Sequence, residues 1–272
     1  MQRYNIHIIL FILTVASTWF VGGPAYSFAI ILILLGHEMG HYLMSRRYGI
    51  RATLPFFLPL PLPPFGTFGA VIRMESTVSS RRALFDTGIA GPLTSLILSI
   101  PAIVIGLKLS KMIPVSDIKE GMIPLGDPLL FKFLQRLVMG EAQKGYDILI
   151  HPIGFAGWVG LFVTSLNLLP IGQLDGGHIA YGLFGRRSRI IYLIAIAVMA
   201  FITVFYNPGW FLLLILIIVF GFRHPPPIDD ITPLDGKRKL MGGVVFLAFL
   251  LSFTPAPFPE YVEEIKQLFR SF

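Results

Sequence analysis

The sequence predicts an all-α polytopic membrane protein with six to seven transmembrane helices. Three observations carry that expectation. Of 272 residues, 54% are hydrophobic and only 14% are charged, against about 25% charged in a soluble domain. Mean hydropathy is +0.74. The apolar residues also fall in blocks long enough to cross a bilayer. Stability must then come from helix packing within lipid and from backbone hydrogen bonds closed inside the chain.

The elements follow in order. Ile6–Val21 is the first apolar block. Arg3 ahead of it fits a signal peptide, but "GGPAYS" leads straight into a second block, so a retained helical hairpin of Ile6–Val21 and Ala25–Met44 is the better reading. Residues 52–72, "ATLPFFLPLPLPPFGTFGAVI", are equally apolar but hold five prolines. Proline removes a donor and stops helix propagation, so this stretch is expected to be a re-entrant or interfacial loop, with "GTFGAVI" as a short open-edged strand. Leu84–Leu107 is the third span, and its "GIAGP" start is small enough for close helix contact. Residues 108–151 carry six Lys/Arg and five Asp/Glu, making them the longest polar connection, and "LLFKFLQRLVMG" within them reads as an amphipathic surface helix. Pro152–Leu169 is the fourth span, with "NLLPIGQLDGGH" at its end. Ile190–Tyr206 and Trp210–Phe222 follow, joined at "NPG", and Leu240–Phe253 is a short last span. No internal repeat and no appended soluble domain is visible, so residues 1–272 are read as one membrane-embedded domain.

The formal net charge of +7 would raise nucleic acid as a partner for a soluble protein. Here lysine and arginine instead serve cytoplasmic loops facing anionic headgroups, so nucleic acid is set aside and the lipid bilayer is the expected partner. With the N-terminus inside, Arg3, Arg46, Arg47, Arg51, Arg73, Arg81, Arg82, Arg186, Arg187, Arg189, Arg223, Lys237, Arg238 and Lys239 are cytoplasmic. That majority of the 22 cations favours this orientation, with Lys119 in the long connection on the opposite side. There are no cysteines, which excludes disulfides, thiolate ligands and sulfur redox chemistry. Nothing in the sequence indicates an oligomeric state.

Against this oily background "LLGHEMGHYLMSRRYG", residues 34–49, stands out. Ionisable side chains inside a membrane cost several kcal/mol unless something pairs with them. His37 and His41 are four apart, which puts both imidazoles on one helix face, one turn apart, within reach of a single metal ion. Glu38 projects about 100° round the helix, a poor angle for a co-ligand but a good one for reaching an activated water and taking its proton. This is the logic of H-E-x-x-H zinc hydrolases; a structural His–Glu cluster is the alternative. Without cysteine, a third ligand must be His, Asp or Glu. Asp175 in "LDGG" is the leading candidate, turned inward after Pro170 breaks the fourth helix. Gly176 and Gly177 beside it permit close approach. His178 is the rival ligand, otherwise a supporting or interfacial histidine, and a plain helix cap is the alternative for Asp175.

Taken together, "HEMGH" on the second span, "GTFGA", "AGP" at the third span and "NLLPIGQLDGG" resemble the site-2 protease family of intramembrane zinc metalloproteases over residues 25–180. The resemblance implies a three-helix catalytic core from the second, third and fourth spans, with additional helices at about 188–256. It implies one Zn2+ per chain held by His37, His41 and Asp175, with Glu38 as the base. Asn167 matches the family asparagine near the substrate or the developing oxyanion. The loop around Gly66–Ile72, with Gly66, Phe68, Gly69 and Ala70, resembles a small re-entrant β-hairpin whose edge pairs with an unwound substrate strand. Neither a PDZ nor a CBS domain is found, residues 108–151 being too short for the former, which suggests a compact prokaryotic-type member. The proline-rich 55–64 stretch resembles the plant and cyanobacterial branch. Zinc, balanced by Asp175 and Glu38, would offset the cost of burying "HEMGH".

The function expected is hydrolysis of peptide bonds in or near transmembrane helices of membrane-protein substrates, that is, regulated intramembrane proteolysis. The competing class is a metal-binding transporter or a non-proteolytic helix-binding scaffold, since intramembrane His and Asp also line ion paths. Glu38 discriminates: transport has no need of a base one residue after a ligand. His41 lies five residues before Arg46, which places the site on the order of 8–12 Å inside the membrane from the cytoplasmic face. The "YNPG" turn at 206–209 is a candidate gate.

Overall fold

The computed structural model describes residues 3–75, 78–118, 122–141, 144–220 and 226–259. Lys119, Phe222 and Arg223, which the topology reading used, lie outside the described residues. The chain divides into two compact units. The first comprises Met1–Ser76, Ile89–Asp117 and Phe131–Thr164, and the second Thr77–Gly88, Ile118–Leu130 and Ser165–Phe272.

In the first unit, α1 runs Arg3–Arg47 but is two limbs broken at Gly23, where φ is +77° ahead of Pro24. The Ser27 hydroxyl donates to the Val15 carbonyl at 3.2 Å and lies 2.7 Å from the Thr18 hydroxyl. Twelve residues of unbroken helix would separate Val15 from Ser27 by about 18 Å, so the chain folds back sharply. The two limbs are the expected helical hairpin.

The proline-rich stretch forms the antiparallel strands β1 (Phe56–Pro59) and β2 (Thr67–Val71). They dock on the first limb. Ser17 donates to the Gly66 carbonyl at 2.7 Å and Phe11 meets Phe57 edge-on, while on the second limb the Tyr26 hydroxyl donates to the Phe65 carbonyl of the hairpin loop at 2.7 Å. A short, two-stranded hairpin suits a stretch whose prolines cannot serve an interior strand.

The second limb packs with α2 (Arg81–Leu109) and α4 (Pro152–Asn167) through small residues. A Cβ on Gly40 would sit 2.6 Å from the Ala90 carbonyl, one on Gly106 2.1 Å from the Gly154 Cα, and one on Gly157 2.8 Å from the Ile103 nitrogen. Such contacts are what hold helices together in lipid, where hydrophobic exclusion gives no drive. The buried Ser95 and Thr164 hydroxyls, 2.7 Å apart, tie α2 to α4, a bond worth about 0.6–2 kcal/mol in such a setting. Phe155, Trp158 and Phe162 stack along α4, and Phe65 of the hairpin loop stacks on Phe162. The second limb of α1 and the parts of α2 and α4 in this unit thus pack as helices against one another, with the hairpin docked beside them.

The amphipathic helix is α3 (Leu129–Met139), which buries Phe131 and Leu134. It lies between β3 (Lys111–Pro114) and β4 (Tyr146–Leu149), an antiparallel pair the sequence reading did not expect.

The second unit holds α5 (Asp175–Phe184), α6 (Ser188–Phe201) with a π-helical end at Ile202–Tyr206, α7 (Phe211–Phe220) and α8 (Gly236–Ser252). Asp235 caps α8, accepting from the Arg238 N–H at 3.0 Å. That bond, helped by the Arg238 guanidinium, holds the Asp235 carboxyl below the usual carboxylate range. Arg238 also grips Asp86 on the first turns of α2 through two parallel bonds of 2.7 and 2.6 Å, the forked geometry that makes arginine–carboxylate pairs strong. The turn at 206–209 is pinned: Asn207 Nδ2 and Trp210 Nε1 both donate to the Pro255 carbonyl, at 3.0 and 2.7 Å.

Three helical runs, Tyr4–Arg47, Arg81–Leu109 and Asp175–Tyr206, are long and apolar enough to cross a membrane, and Pro152–Asn167 and Pro208–Val219 are shorter apolar helices. Among the described residues the protein is mostly helical with two small two-stranded sheets.

Candidate metal centre

The histidine pair is built entirely within the first unit. His37 and His41 are both 4% exposed on the second limb of α1, and their Nε2 atoms are 3.2 Å apart. Their rings meet at 71° with centroids 4.9 Å apart. Zinc–nitrogen bonds of 2.0–2.1 Å at a tetrahedral angle place two nitrogens about 3.3–3.4 Å apart. The pair thus stands at the separation one zinc ion requires, and two imidazoles are chemically suited to it. Glu38, on the same turn, is 7% exposed. A carboxylate so deeply placed in an apolar helix is expensive, and this argues for a chemical task rather than a solvated face.

Glycines let α2 approach this pair. A Cβ on Gly91 would lie 2.1 Å from His41 Nε2, and one on Gly36 2.3 Å from a Leu98 methyl. Gly36 and Gly40, spaced as in G-x-x-x-G, flank His37 and turn toward α2. Gly91 therefore sets the room His41 has. We expect Gly91→Val to displace His41 and lower zinc affinity by about 10–100-fold, the range seen when groups supporting a metal ligand are lost. Zinc titration of the purified variant checks this; affinity equal to wild type would free Gly91 of that role. Gly91 belongs to the small-residue "GIAGP" start of the third span. The G-x-x-x-G spacing inside "GHEMG" was the available signal for the glycines of α1.

Asp175, His178 and Asn167 belong to the second unit. Asp175 is the first residue of α5, and the N-cap position is Leu174, so Asp175 is not the cap. Its place in the first turn suits a carboxylate, because the helix N-terminus carries partial positive charge. The two following glycines are required by backbone contact. A Cβ on Gly176 would sit 2.1 Å from the Leu168 carbonyl, and one on Gly177 2.3 Å from the Gly172 carbonyl. His178 is half-buried, and a Cβ on Gly88 of α2 would lie 2.9 Å from its Cβ. At the far end of α5, Arg81 donates to the Gly182 and Leu183 carbonyls at 3.0 and 2.8 Å. Gly88 and Arg81 thus fasten α5 near both ends, and Asp175 with it. Gly88 opens the small "GIAGP" stretch, whereas no local motif marks Arg81 as an anchor for α5. Asn167 is the last residue of α4 and is half-buried.

In the hairpin, Phe56 pairs with Val71, Phe57 with Ala70 and Pro59 with Thr67. One extra residue on β2 makes a bulge at Phe68–Gly69, where Gly69 has φ +99°. The Thr67 hydroxyl accepts from the Gly69 N–H at 2.9 Å. Phe68 is 74% exposed, while Gly66 is buried with its carbonyl bonded to Ser17 and to the Leu60 N–H. The edge of β2 away from β1 carries no strand among the described residues.

Comparison with known proteins agrees with this chemistry. The model of Peptidase family M50 matches residues 25–206. The chain is 29% identical over 248 residues to the probable zinc metalloprotease EGY1, chloroplastic, of Arabidopsis thaliana, covering 88% of this chain and 44% of that protein. It is 32% identical over 237 residues to the probable zinc metalloprotease EGY2, chloroplastic, of the same plant, covering 84% and 41%. It is 31% identical over 250 residues to the probable zinc metalloprotease EGY3, chloroplastic, of Oryza sativa subsp. indica, again covering 84% and 41%. The chain spans less than half the length of these curated relatives. With the family model matching well over half of its residues, and a histidine pair spaced for zinc, this chain belongs to peptidase family M50, the site-2 protease family of zinc metalloproteases.

Proposed function

We propose that this protein is an intramembrane zinc endopeptidase that cleaves transmembrane protein substrates. What carries the reading is the buried His37–His41 pair at 3.2 Å with Glu38 buried on the same turn. By the family resemblance, His37, His41 and Asp175 are the ligands of one zinc in this reading. Zinc, when bound, supplies Lewis-acid polarisation of the scissile carbonyl and acidifies water at the site. Glu38 takes the proton from the attacking water and hands it to the leaving amine. Asn167 donates to the substrate or to the developing oxyanion. The whole chain acts as one membrane-embedded protease domain of six to seven spans, with a catalytic core at about 25–180 and additional helices at about 188–256. The test is cleavage of a model transmembrane substrate by purified chain of measured zinc content in liposomes. No cleavage by the zinc-loaded chain would overturn the proposal.

Helical backbone is shielded, so a substrate must unwind before cleavage. The edge of β2 receives the unwound strand, with Gly66, Gly69 and Ala70 shaping it and Phe68 in contact with the substrate. Phe68→Ala is expected to slow cleavage several-fold with zinc content unchanged, because its side chain is exposed and supports no packing of its own. Cleavage at the wild-type rate would reduce the hairpin to a membrane anchor.

The protein sits in the cell membrane with its site opening toward the cytoplasm, a placement that rests on the distribution of lysine and arginine. The chain has no cysteine of its own, so single introduced cysteines report sidedness cleanly. Cysteines next to Arg47 and Arg187 are expected to label from the cytoplasm, and one next to Lys119 from the other side. The opposite pattern inverts the topology.

A further inference from the structure

The second unit contains an apolar cavity of about 610 Å³; no proposed ligand or base lines it, although Leu168 and Gly176, beside Asn167 and Asp175, do. Ile179 and Leu183 of α5 and Val245, Phe246 and Phe249 of α8 line it, and Lys239 is the cation among its lining residues. Neighbouring Arg238 is committed to Asp86 and Asp235, whereas Lys239 is exposed.

We propose that this groove is a binding site for an anionic phospholipid, an acyl chain lying along α5 and α8 with the headgroup phosphate at Lys239. Three physical arguments select that occupant. Lys239 and Phe249 are ten residues apart on α8, so the groove wall runs about 15 Å, the thickness of one leaflet of a hydrocarbon core about 30 Å thick. An extended peptide would bring backbone N–H and C=O groups into a lining with almost no polar partners, each costing several kcal/mol when unsatisfied in a membrane. An acyl chain brings none. The single cation at one end then complements a phosphate and a net negative headgroup.

Gly243 gives a clean test. It lines the groove, and a Cβ there meets nothing within 4 Å, so Gly243→Leu fills the cavity without a clash and with a better helix former. Gly242 is unsuitable, because its Cβ would strike Leu183 at 2.7 Å. Full-length chain is reconstituted in nanodiscs of mixed phosphatidylglycerol and phosphatidylcholine, extracted in mild detergent and weighed by native mass spectrometry. Thermal melting confirms the fold of each variant. Wild type is expected to retain phosphatidylglycerol in preference to phosphatidylcholine. Lys239→Gln should lower that preference about fivefold, the effect of one cation near a charged headgroup. Gly243→Leu should abolish retention of either lipid. Equal retention of the two lipids by wild type, or retention unaffected by Gly243→Leu, overturns the proposal. So does a Gly243→Leu variant that keeps its lipid but loses cleavage, which would make the groove a peptide site.

Discussion

Glu38→Gln is expected to keep its zinc and lose its activity. Glutamine has nearly the shape of glutamate, and Glu38 lies about 100° round the helix from His37, so the histidine pair is undisturbed. The buried setting also favours the neutral side chain, which needs no counter-charge. What disappears is the proton acceptor. Positioned general bases contribute about 10²–10⁴ in rate, and the variant should lose that much cleavage of a transmembrane substrate at wild-type metal content. Measuring zinc and turnover on the same preparation separates the roles. If the glutamine variant cleaves normally, Glu38 is not the base and the mechanism fails. If it loses its zinc, Glu38 belongs with the ligands.

Asp175→Ala is expected to produce the second large effect, on binding itself. Changes in groups that merely orient a ligand cost 10–100-fold in affinity, so removal of a ligand should weaken zinc by at least about 100-fold. His37→Ala and His41→Ala should match it. His178→Ala serves as the control, since that imidazole is the rival third donor and is expected to leave zinc in place. Full occupancy in Asp175→Ala together with loss in His178→Ala would transfer the role to His178. The comparison is informative because the structure removes one alternative: Asp175 lies inside α5 and Leu174 holds the cap position, so the expected loss would not come from an uncapped helix.

Much of this site was legible because its signals are local. An i, i+4 pair of histidines faces one way on any α-helix, so "HEMGH" announced the 3.2 Å pair before any packing was known. The hairpin was legible in half. Five prolines ruled out a span and "GTFGAVI" marked β2, but its partner Phe56–Pro59 reads as irregular because two of the prolines flank and end it. Helix α5 was not legible. "DGGH" after Pro170 has poor intrinsic helix propensity, and the helix forms where Gly88 admits its first turn and Arg81 donates to the Gly182 and Leu183 carbonyls near its end. The β3–β4 pair joins segments more than thirty residues apart whose alternation is weak, and such pairing leaves no trace in a local window.

By itself, then, the sequence determined the membrane setting, the order of the apolar helices, the histidine face with its adjacent carboxylate, and the family to which that pattern points. These depend on hydropathy and on helix periodicity, both properties of neighbours in the chain. The tertiary structure decided which glycines are obligatory, how α5 is fastened, where the hairpin docks, and that a lipid-sized groove lies beside Lys239. Each of these depends on what stands opposite a residue across a helix contact. In a membrane that contact is made by close packing rather than by hydrophobic exclusion, so a Gly91 that makes room for His41 reads, within its own segment, as one small residue among many.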